Sequence, residues 1–171
     1  PDHRIVRRGA RLGLSLLRAG RGLALPGLLL IAALSGCIGA TAWAQTIKIG
    51  VINTYSRPNA SLGDSIDKGI KLYMKLNEKR LPPGVKIEII TRDDGGANPD
   101  KAKQLAQELI VRDRVQIITG LIWTPNAAAI APLATEAKVP VVIMNAGTSS
   151  ITTMSPYIAR ISFTLWQSSY P

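Results

Sequence analysis

Gln116-Ile117-Ile118-Thr119-Gly120-Leu121-Ile122-Trp123-Thr124-Pro125-Asn126-Ala127 begins as a short apolar run, meets a glycine and opens into an alanine-rich pattern. Thr124 has the chemistry of a helix N-cap, and Pro125 suits the first helical position because no N–H is needed there. The stretch therefore reads as a strand, a turn and the start of a helix. Such a turn gathers free N–H groups and the positive end of a helix dipole at one point, where a carboxylate is stabilised. An ordinary strand-to-helix connection has the same pattern, so the rest of the chain must decide between them.

Upstream and downstream, the same alternation repeats. Ile47-Lys48-Ile49-Gly50-Val51-Ile52 reads as a first strand. Ser61-Leu62-Gly63-Asp64 has capping-box spacing with Asp in place of Glu, and Ile66, Ile70, Tyr73 and Met74 recur at helical intervals to about Arg80. Leu81-Pro82-Pro83-Gly84 ends that helix, and Val85 to Thr91 forms a second strand. Asn98-Pro99-Asp100 starts a second helix with Ala102, Leu105, Ala106, Leu109 and Ile110 on one face. Val115 to Thr119 is the third strand, followed by a helix from Pro125 to about Lys138 that Pro132 is expected to kink or shorten. Val139-Pro140-Val141-Val142-Ile143-Met144 is a fourth strand, buried on both sides by its composition, and residues 157–163 give a fifth.

Strands alternating with helices over short links mean an α/β fold with a doubly wound parallel sheet. In the common strand order 2-1-3-4-5, ligands bind beyond the carboxyl ends of the strands where the order reverses. The loops that meet there span residues 54–62, 121–126 and 145–150. They are rich in hydroxyls and small residues, with an aromatic in each of the first two, a composition suited to a small-molecule pocket. Trp123 is either packing or a ligand platform. Thr148-Ser149-Ser150 caps a short helix over about residues 149–154, contacts a ligand, or does both.

The formal charge of +10 is concentrated in the first 21 residues, which hold six arginines and one acid. From Gln45 onward there are fifteen basic and ten acidic side chains, scattered as on solvated helix faces, so no nucleic-acid partner is expected. Residues 1–44 read as a signal peptide: an arginine-rich region, the apolar run Leu28-Leu29-Leu30-Ile31-Ala32-Ala33-Leu34, then Ala42-Trp43-Ala44 as a cleavage site. Leu34-Ser35-Gly36-Cys37 offers a second reading, a lipobox that leaves a lipidated Cys37. An uncleaved anchor is a third, because residues 22–47 carry no charge. Pro1 as the first residue and the abrupt Trp166-Gln167-Ser168-Ser169-Tyr170-Pro171 lead us to expect a fragment.

The chemistry missing after residue 44 narrows the function. His3 and Cys37 are the single histidine and cysteine, both before Gln45, so neither a Ser-His-Asp nor a Cys-His system can be built from residues 45–171. A zinc site with nitrogen and sulfur ligands is likewise ruled out of that segment, and no metal or cofactor is expected. Gly-x-Gly-x-x-Gly, P-loop and Gly-x-Ser-x-Gly patterns are missing. The acid pair Asp93-Asp94 follows the second strand, where it is expected to hold a turn and, with Asn98, cap the next helix.

Taken in order, Ile47-Lys48-Ile49-Gly50-Val51, Ser61-Leu62-Gly63-Asp64, Arg92-Asp93-Asp94 with Asn98-Pro99, Gly120 with Thr124, Val139-Pro140-Val141 and Asn145-Ala146-Gly147-Thr148 form a recognisable series. It resembles the branched-chain amino acid (Leu/Ile/Val) type of periplasmic solute-binding protein of ABC transporters, across essentially all of residues 46–171. The resemblance implies a type I binding-protein lobe over 45–171, stopping before the second lobe. It implies a periplasmic receptor, not an enzyme, that closes like a hinge on a ligand and delivers it to an importer. The expected ligand is an amino acid, aromatic acid or amide; the expected partners are the permease subunits of an ABC transporter, with the receptor itself a monomer. A sensor module of a signalling receptor is the alternative. Carried over, Thr124 is the first hydroxyl donor, and Ala146 and Thr148 are donors of a second loop in which Gly147 permits close approach. Leu62 stands where a bulky wall residue often lies, Ser61 beside it is also expected to bind ligand, and Trp123 is compatible with an aromatic ligand.

Overall fold

The computed structural model describes residues 45–56 and 58–170. The signal-peptide reading of residues 1–44, its cleavage after Ala44 and the lipidation of Cys37 lie outside the described residues. Five parallel strands form one sheet: β1 (Gln45–Asn53), β2 (Val85–Asp93), β3 (Ile117–Gly120), β4 (Val141–Ile143) and β5 (Ile158–Arg160), in the order β2-β1-β3-β4-β5. Between them run α1 (Ala60–Asn77), α2 (Pro99–Val111) and α3 (Thr124–Ala137). A 3-10 turn at Glu78–Arg80 follows α1, another at Ser149–Thr153 links β4 to β5, and a short α4 (Leu165–Ser169) follows β5. This is the doubly wound order expected from the alternation. Among the described residues no helix is long and apolar enough to cross a membrane.

Register explains which side chains form the core. Ile49 stands opposite Ile89 and Ile117, and Ile52 stands opposite Arg92 and Gly120, so alternate residues of all strands share a face. The face with Gly50, Ile52, Ile118, Val141, Ile143 and Ile158 is covered by α2 and α3. On it Ile52, Ile118 and Ile143 join Ala102, Ala106, Leu109, Ile130 and Ala134, all fully buried. Gly50 brings α2 close, because a Cβ there would sit 2.8 Å from Leu109 Cδ1. Each large aliphatic side chain buried here contributes about 1.5–3 kcal/mol.

The opposite face is thinner. There α1 presents Ile66, Ile70 and Met74, each only half-buried, and shares apolar cavities with Ile87, Met144 and Ile161. Leu72, Tyr73 and Leu76 of α1 remain 58%, 65% and 73% exposed. This asymmetry explains why Val142, on the thinner side, is half-buried while its neighbours Val141 and Ile143 are buried, against the expectation of burial on both sides.

Local chemistry departs from the sequence reading at three helix starts or interiors. The Ser61–Asp64 capping box does not form: α1 starts at Ala60, two residues earlier than a Ser61 cap would place it, its N-cap is Asn59, and Ser61 lies in the first turn. Thr124 is likewise the first residue of α3 and not its cap, with Trp123 at the cap position and Pro125 next. Pro132 does not shorten α3, which runs on to Ala137 and is closed by Lys138 in the left-handed conformation. The one start read correctly is α2, where the Asn98 side chain accepts from Lys101 N–H at 3.1 Å.

Candidate functional site

The carboxyl ends of β1, β3 and β4 converge on a row of small polar side chains. At the end of β3 the chain takes two successive positive-φ residues, Gly120 (φ 102°) and Leu121 (φ 62°). Leu121 N–H donates to Ile52 O at 2.8 Å, Met144 N–H to Gly120 O at 2.8 Å and Ala146 N–H to Leu121 O at 3.1 Å. The β3–α3 and β4–β5 loops are therefore tied together by their backbones. At their junction Thr148 Oγ1 donates to Thr124 Oγ1 at 2.9 Å, across 24 residues of sequence. Both hydroxyls lie in the first turn of α3 or against it, where the helix dipole places about half a positive charge. Arg160 Nη1 donates to Thr148 O at 2.6 Å, fixing the second loop and bringing a full positive charge to its back.

The other expected site residues are distributed around this pair in several ways. Gly63 allows the first turn of α1 to lie against the end of β1: a Cβ at that position would overlap the Thr54 carbonyl oxygen. That contact sets Leu62 at the rim of the sheet, 43% exposed, with Ser61 exposed beside it. No hydrogen bond joins either residue to Thr124 or Thr148 among the described residues. The Ala146 amide, expected as a donor to ligand, is already committed to Leu121 O, and Ala146 is only 2% exposed. The close neighbour permitted by Gly147 is Leu165 of α4, whose Cγ lies 3.0 Å from where a Cβ would stand and whose N–H donates to Gly147 O.

Trp123 turns its indole toward β1 and β2. Its Nε1–H donates to Thr54 Oγ1 at 2.8 Å, and its ring lines a cavity of about 400 Å³ with Asp94, Gly95, Gly96 and Lys101. Thr54 Oγ1 in turn donates to Asp94 Oδ1 at 2.7 Å. Asp94 is fully buried and also accepts from Gly96 N–H at 3.0 Å and from Asn126 Nδ2 at 2.8 Å. The sequence reading placed Asp94 in a turn and had Thr54 and Asn126 only as the bounds of two loops meeting at this edge, without a role of their own. The available signal was position: one lies just past β1 and the other in the first turn of α3, at the ends where side chains from different loops meet.

Asp93 holds the neighbouring turn, accepting at Oδ1 from Tyr55 N–H and Gly95 N–H, each at 2.9 Å. Burial alone would raise its pKa. The Tyr55 and Gly95 amides, the Ser56 hydroxyl and the Lys101 charge outweigh burial and hold the carboxyl below its ordinary 3.8. A depressed folded-state pKa means that Asp93 contributes stability above pH 3.8, and that this is lost as pH falls through the lower folded value. We expect the difference in denaturation midpoint between wild type and Asp93→Asn to be constant near neutrality and to shrink below pH 3.8. A difference unchanged down to full protonation would exclude this carboxylate as the source. Among the described residues no three acids, histidines or cysteines gather as they would around a metal ion.

Comparison with known proteins places this geometry among relatives. The family model described as periplasmic binding protein matches residues 46–171. The Leu/Ile/Val-binding protein homolog 6 of Brucella abortus is 43% identical over 130 residues, which are 76% of this chain and 33% of that protein. The chain thus spans about a third of the length of the curated relatives it matches. An ABC-transporter solute-binding protein of Rhodopseudomonas palustris HaA2, solved in complex with p-hydroxybenzoic acid, is 50% identical with a TM-score of 0.68 over 72% of this chain and 33% of its own. One from Rhodopseudomonas palustris BisB5, solved with 3,4-dihydroxybenzoic acid, is 54% identical with a TM-score of 0.67 over 71% and 33%.

Proposed function

Because the chain belongs to the periplasmic binding protein family, among the solute-binding proteins of ABC transporters, we propose that it is an extracytoplasmic receptor for a small aromatic carboxylate of the hydroxybenzoate class. The observation that carries this reading is the hydroxyl pair of Thr124 and Thr148, 2.9 Å apart at the start of α3. Thr148 donates to Thr124, which leaves the Thr124 hydroxyl proton to point at a ligand carboxylate. The α3 dipole and the Arg160 charge behind the loop favour a bound anion. The 50–54% identity to proteins solved with hydroxybenzoic acids supports an aromatic acid over a branched-chain amino acid.

In this reading residues 45–171 supply the first lobe of a two-lobed cleft, and residues 1–44 direct export to the periplasm. Leu62 walls the rim and Gly147 keeps the second loop compact, with Ser61 and Trp123 framing the edge. Hinge closure on the ligand presents it to the permease subunits of an importer, without a chemical step. A thermal-shift screen of the full-length protein tests the proposal with hydroxybenzoates, branched-chain amino acids, short amides and urea. Stabilisation by hydroxybenzoates and none by leucine is expected. Stabilisation by leucine or isoleucine alone would replace the ligand class, and no shift with any of them would remove the receptor reading.

A further inference from the structure

We propose that Asp94 is a positioning residue for the ligand hydroxyl, one that pins Thr124 from both sides without touching ligand. The inference rests on Thr124 being a ligand contact. On one side Asp94 Oδ1 accepts from Thr54, whose hydroxyl oxygen accepts from the Trp123 indole. On the other side Asp94 Oδ2 accepts from Asn126 Nδ2, which also donates to Gly96 O at 2.9 Å. Residues 123 and 126 are thus both tied to one fully buried carboxylate, and Thr124 lies between them.

The same carboxylate binds three separate loops together. Thr54 follows β1, Gly96 belongs to the turn after β2, and Trp123 and Asn126 lie at the start of α3. The bonds that join different loops span 30 to 69 residues of sequence, so the cluster exists only in the folded chain. Three hydrogen bonds accepted by one buried carboxyl group hold these loops in one arrangement, while Asn126 Oδ1 has no partner in the cluster. A cavity of about 400 Å³ lies alongside, so packing alone does not hold the Trp123 ring in place. Its rotamer depends on the bond to Thr54.

The test compares full-length wild type with Thr54→Val, Thr54→Ser, Asp94→Ala and the core control Ile130→Val. Affinity for 4-hydroxybenzoate is measured by calorimetry well below each Tm. Thr54→Val keeps the side-chain volume but severs the path from Asp94 to Trp123, and it should weaken binding about fivefold or more. Thr54→Ser restores the hydroxyl and should recover most of that loss. Ile130→Val should lower Tm while leaving the dissociation constant at the wild-type value, separating positioning from general stability. If Asp94→Ala fails to fold, the Thr54 pair decides the matter. Equal affinity of Thr54→Val and wild type would overturn the positioning role while leaving the receptor reading intact. A wild type that binds no carboxylate would overturn that reading, and the positioning role with it.

Discussion

Gly120→Ala should be among the most destabilising single substitutions in the described segment, lowering stability by about 3 kcal/mol or more from backbone strain and overpacking together. Two independent costs act at this residue. Its φ of 102° lies where an L side chain is strained. A Cβ would also stand 2.5 Å from Ile52 O and 2.6 Å from Asn53 Oδ1. The first is backbone of β1, paired with a strand on each side, and Asn53 is fully buried, so neither neighbour can move aside cheaply. The same carbonyl of Ile52 accepts from Leu121, so displacement would loosen the turn that leads to Trp123 and Thr124. Denaturant unfolding of wild type and variant measures the effect. A loss below about 1 kcal/mol would mean that the turn relaxes by another route.

Replacing both hydroxyls of the proposed site, Thr124→Val with Thr148→Val, should produce the largest loss of affinity. Thr124→Val leaves part of a bound carboxylate without a donor, and Thr148→Val removes the hydroxyl that orients that donor; each costs about 1–3 kcal/mol. The two effects should not add. Thr148 orients the Thr124 hydroxyl, so removing either disturbs the other, and the double variant should lose less than the sum of the singles. Calorimetry on all four proteins with 4-hydroxybenzoate gives the coupling directly. Strict additivity would separate the two hydroxyls energetically, and unchanged affinity in Thr148→Val would remove that residue from the site.

The Thr124–Thr148 pair also shows how far the sequence could be read. Both threonines were identifiable from their place after the third and fourth strands, because a parallel sheet sends those loops to one edge. Their direct contact was not readable, since it depends on how the backbone bonds from Met144 and Ala146 draw the second loop against the first. The bond from the Ala146 amide to Leu121 O was unreadable for the same reason. The Ser61 capping box had the right spacing but lost to a start at Ala60, where Gly63 seats α1 against the Thr54 carbonyl.

Helix faces and strand faces follow from local pattern, because period-two and period-3.6 burial are properties of consecutive residues. By itself the sequence therefore determined the α/β class and most of the core, from Ile52 to Ile130; the 2-1-3-4-5 order was expected as the common one for such a sheet, and it is the order observed. The tertiary structure alone decided how Trp123 is turned, which amides are spent on holding loops together, and that Asp94 gathers Thr54, Gly96 and Asn126 at one buried point. Those outcomes rest on hydrogen bonds between residues tens of positions apart. Such bonds form only once register and packing have brought three loops to the same edge of the sheet.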